Sequence, residues 1–179
     1  SVLALPARAD FKLARYEESI DYFHRLDAAS DHMRLIDVGV TSEGRPWTFA
    51  LISSPANLAN LDRLKAIAQR LAHPVRLTDA EARALAAEGK TSADISGALH
   101  ASEAAGAQHT IQLAYDILST TEDPETRAIL DDVVLLLWPS LNPDGQDIVV
   151  DWYRQNAGTP YETAPLHELY QKYIGHDNN

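Results

Sequence analysis

His100 and Glu103 close the stretch Ala93-Asp94-Ile95-Ser96-Gly97-Ala98-Leu99-His100-Ala101-Ser102-Glu103, and they are the residues best suited to do chemistry. An apolar, glycine-containing run ends in an imidazole, and a carboxylate follows three residues later at a predicted helix start. That spacing can bring a ring nitrogen and a carboxylate oxygen onto one zinc ion. Alone the pattern is cheap: with 7 histidines in 179 residues, chance supplies about 0.4 His-x-x-Glu matches. The competing reading is a core histidine at a strand end, beside an acid that simply favours a helix N-terminus.

The elements that must position this pair are legible from periodicity. Residues 93–99 are predicted to form a short buried strand that delivers His100. Glu103–Ser119 is predicted to be a helix with Ala107, Ile111, Ala114 and Leu118 on one side. His109 lies six residues beyond Glu103, about 600° of helical rotation, so it faces elsewhere. Val133–Trp138 has no polar alternation and is expected to be covered on both faces. Asn142-Pro143-Asp144-Gly145 is predicted to be a turn, before a helix over Asp147–Gln155, a loop over 156–165 and a helix over Leu166–Tyr173. Upstream, residues 1–15 read as an arm and Glu17–Ala29 as a helix. Met33–Thr41 and Pro46–Ser53 read as strands paired through Ser42-Glu43-Gly44-Arg45. Leu58, Leu61, Leu64, Ile67, Ala68 and Leu71 mark one buried helix face. Thr78 with Glu81 makes a capping box for a helix to about Glu88. Strands alternating with helices give an α/β layered fold. Ligands of such folds collect at the carboxyl ends of strands, where His100 and Asn142 lie.

Composition narrows the chemistry further. A formal charge of −11 and a pI near 4.9 argue against nucleic acid and anionic membranes as partners, because both need a basic face. The longest apolar run, Val133–Trp138, is strand-sized, so no membrane span is expected. Cysteine is absent, and a metal must therefore be held by His, Asp, Glu or carbonyl oxygen. The length suits one domain. The chain starts at Ser1 and its only methionine is Met33, so the natural start is expected to have been removed, by a signal peptidase or by truncation.

Four motifs in order give the chain a resemblance to the zinc metallocarboxypeptidases of the carboxypeptidase A type, the M14 peptidases. They are Thr41-Ser42-Glu43-Gly44-Arg45-Pro46, His100-Ala101-Ser102-Glu103, Asn142-Pro143-Asp144-Gly145 and Gly175-His176-Asp177-Asn178-Asn179. The resemblance implies a three-layer α/β fold with a mixed central sheet flanked by helices, of which 1–179 is a single partial catalytic domain. It implies zinc as cofactor, with His100 and Glu103 as two of its three protein ligands. Asp177 would orient a ligand histidine, Asn179 would help hold the terminal carboxylate of a peptide substrate, and Arg154 would polarise the scissile carbonyl. Arg154 follows Gly145 at shorter spacing than in the digestive enzymes, and a surface arginine stacked on an aromatic is its alternative. The family's substrate-clamping arginine, third zinc ligand and catalytic glutamate would all fall beyond Asn179. The implied activity is zinc-dependent removal of C-terminal residues by the parent protein, secreted or periplasmic, with this chain alone inactive. Two alternatives stay open: a non-catalytic fragment or binding module, and an amidohydrolase relative acting on acyl-amino acids.

Overall fold

The computed structural model describes residues 12–167. Its strands are β1 (Met33–Val40), β2 (Pro46–Ile52), β3 (Thr91–Ser96) and β4 (Val133–Trp138). Its helices are α1 (Tyr16–Ala29), α2 (Pro55–Ala59), α3 (Leu61–Ala72), α4 (Asp79–Glu88), α5 (Ala104–Ser119), α6 (Pro124–Asp132) and α7 (Pro143–Asn156). The strands form one mixed sheet in the order β1-β2-β4-β3. β2 is antiparallel to both β1 and β4, whereas β3 is parallel to β4. The expected α/β class, a mixed sheet flanked by helices, is the one the chain adopts.

The period of two along each strand decides where the core sits. Met33, Ile52, Leu135 and Ala93 fall in one row across the sheet, and Leu35, Ala50, Leu137 and Ile95 in the next. Tyr22 and Phe23 of α1, Ile111 and Ala114 of α5 and Leu130 of α6 pack onto that face. Phe23, Ile52 and Leu137 are fully hidden from water, and each such side chain contributes about 1.5–3 kcal/mol by burial. On the opposite face Trp138 stacks obliquely on Trp47 and Phe49, with ring centroids 5.2 and 4.7 Å away. Its indole N–H donates to Asp94 Oδ2 at 3.1 Å.

Several expectations need correction. The strand before His100 is not buried: it ends at Ser96, and five of its six residues are exposed, because among the described residues it pairs with β4 on one side only. Asn142-Pro143-Asp144-Gly145 is not a free turn but the cap and first turn of α7, which therefore starts four residues before the predicted helix. The proline supplies a helical φ where no N–H is needed, and Asn142 Oδ1 accepts from the Gly145 N–H at 3.0 Å. The stripe from Leu58 to Leu71 breaks at Asn60 into α2 and α3, and only Leu58 and Ile67 of it are fully buried. Residues 13–15 are tied down rather than loose: Arg154 donates to the Leu13 carbonyl, Gln146 Nε2 to the Ala14 carbonyl at 2.9 Å, and the Arg15 guanidinium pairs with Asp151. The Thr78–Glu81 capping box is present. No described helix is long and apolar enough to cross a membrane. Most of the helix expected over Leu166–Tyr173 lies outside the described residues.

Candidate metal centre

The loop that carries the ligand pair hangs from the segment after β4. Gly97 N–H donates to the Trp138 carbonyl at 3.1 Å, Leu141 N–H to the Gly97 carbonyl at 2.8 Å, and Asn142 N–H to the Ala98 carbonyl at 3.2 Å. The pairing thus outlives the strands by two residues. A Cβ on Gly97 would sit 2.8 Å from the Gly106 carbonyl oxygen and 2.9 Å from Thr110 Cγ2, so only glycine lets α5 approach this closely. Ala98 then takes the left-handed conformation, φ +48°, which costs an L-residue roughly 1–2 kcal/mol. That bend turns the chain off the sheet and sets His100 just ahead of α5.

Glu103 stands at the cap position of α5, but its carboxylate turns back instead of capping the helix. Oε2 accepts the His100 backbone N–H at 2.9 Å, and Oε1 lies 3.0 Å from His100 Nδ1. The backbone bond, joined by the contact with the ring, holds the Glu103 carboxyl below its ordinary value. A carboxylate only accepts, so Nδ1 carries the proton in this contact. The His100 side chain keeps 20% of its surface in water and that of Glu103 keeps 48%. Ligand atoms each about 2.0–2.2 Å from one zinc ion can stand up to about 4 Å apart, and the pair satisfies that limit. Hard oxygen with imidazole nitrogen is a zinc donor set. Among the described residues no group of three or more His, Asp or Glu side chains could hold a metal, so two ligands are what this region offers.

The other two described motifs meet each other. Asp144, 4% exposed, accepts from Thr41 Oγ1 (2.7 Å), Ser42 Oγ (3.2 Å), the Glu43 N–H (3.2 Å) and Arg45 Nη1 (2.7 Å). Asp147, 6% exposed and one turn along α7, accepts Arg45 Nε and the Tyr16 N–H, both at 2.9 Å. Arg45 therefore forks across two carboxylates and fastens the β1–β2 hairpin to α7. Burial pushes the Asp144 carboxyl up, but the bonds from Thr41, Arg45, Glu43 and Ser42 together outweigh it, and the group ends below the usual aspartate value. Burial likewise works against the Arg45 charge, and its bonds to Asp144 and Asp147 more than restore it. None of this clasp was picked out as a site from sequence; its signal was the pair of motifs, 99 residues apart between Arg45 and Asp144.

Of the remaining expected site residues, only Arg154 lies among the described ones. Arg154, in the last turn of α7, donates from Nη2 to the Leu13 carbonyl at 2.7 Å and to Glu18 Oε2 at 2.9 Å, so its guanidinium is engaged on the N-terminal segment and α1. His109 is exposed on α5. Asp177, Asn179 and His176 lie outside the described residues.

The family model for zinc carboxypeptidases matches residues 20–179. No curated protein matches the chain. Among solved structures, carboxypeptidase A from Helicoverpa armigera is similar at a TM-score of 0.55 and 16% identity, over 90% of this chain and 30% of that one. Bovine thrombin-activatable fibrinolysis inhibitor, solved in complex with tick carboxypeptidase inhibitor, is similar at a TM-score of 0.53 and 13% identity, over 78% of this chain and 34% of that one. A metallo-carboxypeptidase from Burkholderia cenocepacia is similar at 0.52 and 18%, over 74% and 28%. At these identities the likeness is one of fold, and the chain spans about a third or less of the length of these structures. The family match takes in the hairpin motif, the His-x-x-Glu pair and the Asn-Pro-Asp-Gly cap together. By that match, the chain belongs to the zinc carboxypeptidase family.

Proposed function

We propose that this chain supplies two of the protein ligands of a zinc site, His100 Nδ1 and Glu103, in a parent protein that hydrolyses the C-terminal peptide bond of peptides. The observation that carries the reading is the 3.0 Å approach of Nδ1 to Oε1 on a loop tied at its base by the Leu141 and Asn142 N–H groups. A zinc ion held there supplies Lewis-acid polarisation of a carbonyl and a bound water acidic enough to react near neutral pH. His100 must release its Nδ1 proton before that nitrogen can serve as a ligand. Glu103 contributes charge and, through the His100 N–H, keeps the loop closed around both donors. In the same reading Arg154 polarises the scissile carbonyl, which requires it to exchange Glu18 for substrate. Asp177 orients a ligand histidine, and Asn179 grips the terminal carboxylate. The third ligand and the general base come from outside the described residues, and the parent protein acts outside the cytoplasm.

The test is zinc titration of the chain by calorimetry, with His100→Ala and Glu103→Gln as controls. One weak site per chain is expected, lost in His100→Ala and weakened in Glu103→Gln. Equal zinc binding by wild type and His100→Ala would overturn the reading. The chain alone is expected to hydrolyse no peptide; activity on it that disappears in His100→Ala would remove the need for residues beyond it.

A further inference from the structure

We propose that Asp144, clamped by Arg45 and Thr41, is a positioning residue for the His100–Glu103 loop and acts through the backbone of Leu141 and Asn142. Its relevance to catalysis rests on the zinc reading above; the mechanical link does not.

The link runs through four observations. Asp144 is the second residue of α7, and its carboxylate is fixed by four donors from the hairpin segment Thr41–Arg45. With Arg45 also bonded to Asp147, the start of α7 is held against the hairpin at two points one turn apart. Leu141 and Asn142, immediately before that turn, hold the carbonyls of Gly97 and Ala98. Ala98 is the left-handed residue whose bend aims His100. A left-handed alanine persists only where its surroundings over-determine it, and these two backbone bonds are part of what does so. The pair is thus placed from a distance, by an ion-pair network on a different element. Partners hydrogen-bonded directly to metal ligands are worth about 10–100-fold in metal affinity, and Asp144, acting from further out, is expected to be worth less.

The full chain with Asp144→Asn, and with the milder Thr41→Val, tests this by amide hydrogen exchange and by zinc titration. Exchange at Leu141, Asn142 and His100 is expected to speed up by about tenfold or more in Asp144→Asn and by less in Thr41→Val, with Ile52 and Leu137 unchanged. Zinc affinity per folded molecule is expected to fall in Asp144→Asn, by no more than about tenfold, the low end for partners bonded directly to a ligand. Two results would overturn the proposal: unchanged exchange over 97–103 and 141–142 in both variants, or equal acceleration at Ile52 and Leu137, which marks general destabilisation. If wild type binds no zinc yet the local exchange pattern appears, the positioning stands and the zinc reading fails. If zinc binds wild type and Asp144→Asn alike and exchange does not move, the reverse holds.

Discussion

Asp144 and Glu103 are both carboxylates at the start of a helix, both held below their ordinary pKa, and the molecule uses them in opposite ways. Asp144 is buried, and its donors come from four different residues of a distant segment. Glu103 is half in water and is bonded chiefly by the neighbouring His100. A carboxylate saturated by fixed donors joins elements. One that is held by its own loop and left open on one side can accept an ion. The contrast teaches that a low pKa does not mark a site; the origin of the donors and the access of water do.

Arg45→Ala should break the contrast hardest. It leaves two buried carboxylates without their cation, a change expected to cost about 3 kcal/mol in urea unfolding, at the low end for buried pairs because Arg45 keeps part of its side chain in water. Glu103→Ala should shift the same measurement by no more than about 0.5 kcal/mol. Equal losses would mean that both carboxylates serve the fold. Gly97→Ala comes next: its Cβ would press on the Gly106 carbonyl and Thr110, and thermal unfolding should register a loss of about 2 kcal/mol. Ala98→Gly should go the other way. Relief of about 1–2 kcal/mol of left-handed strain, less roughly 0.5–1 kcal/mol of added chain entropy, leaves a net stabilisation of no more than about 1.5 kcal/mol.

The smallest effect sharpens the contrast through pH. A carboxyl whose folded pKa is depressed contributes stability that is complete above the unfolded value and vanishes as the pH falls through the folded one. For Asp144 the loss therefore begins near the ordinary aspartate value of about 3.9 and continues below it. Melting temperatures measured from pH 5 downward, on a scale of about one pH unit per step, should fall more steeply for wild type than for Asp144→Asn. Parallel curves would show that the bonds to Asp144 do not favour its charged form.

What the sequence disclosed follows the range of the forces involved. The Thr78–Glu81 box depends on residues three apart, and its hydrogen bonds are present as expected. The His100–Glu103 approach is also local, and it is present. The exposure of β3 is not legible in the sequence, because burial depends on which strand lies beside it, and among the described residues Thr91–Ser96 pairs only with β4. The start of α7 was misjudged because Asn-Pro-Asp-Gly suits a turn and a capped helix start equally; the hairpin's grip on Asp144 decides between them. That grip joins residues about a hundred positions apart, and no periodicity announces it.

The near-contact of Gly97 with Gly106 has a use in recognising such sites from sequence. The two glycines bracket the His-x-x-Glu pair: a Cβ on Gly97 would press on the Gly106 carbonyl, and one on Gly106 would crowd the Ala98 backbone nitrogen. A search that demands glycine at both flanking positions, with 8 glycines in 179 residues, thins chance matches roughly five-hundredfold. The cheap pattern becomes a discriminating one once the shape of its pedestal is written into it.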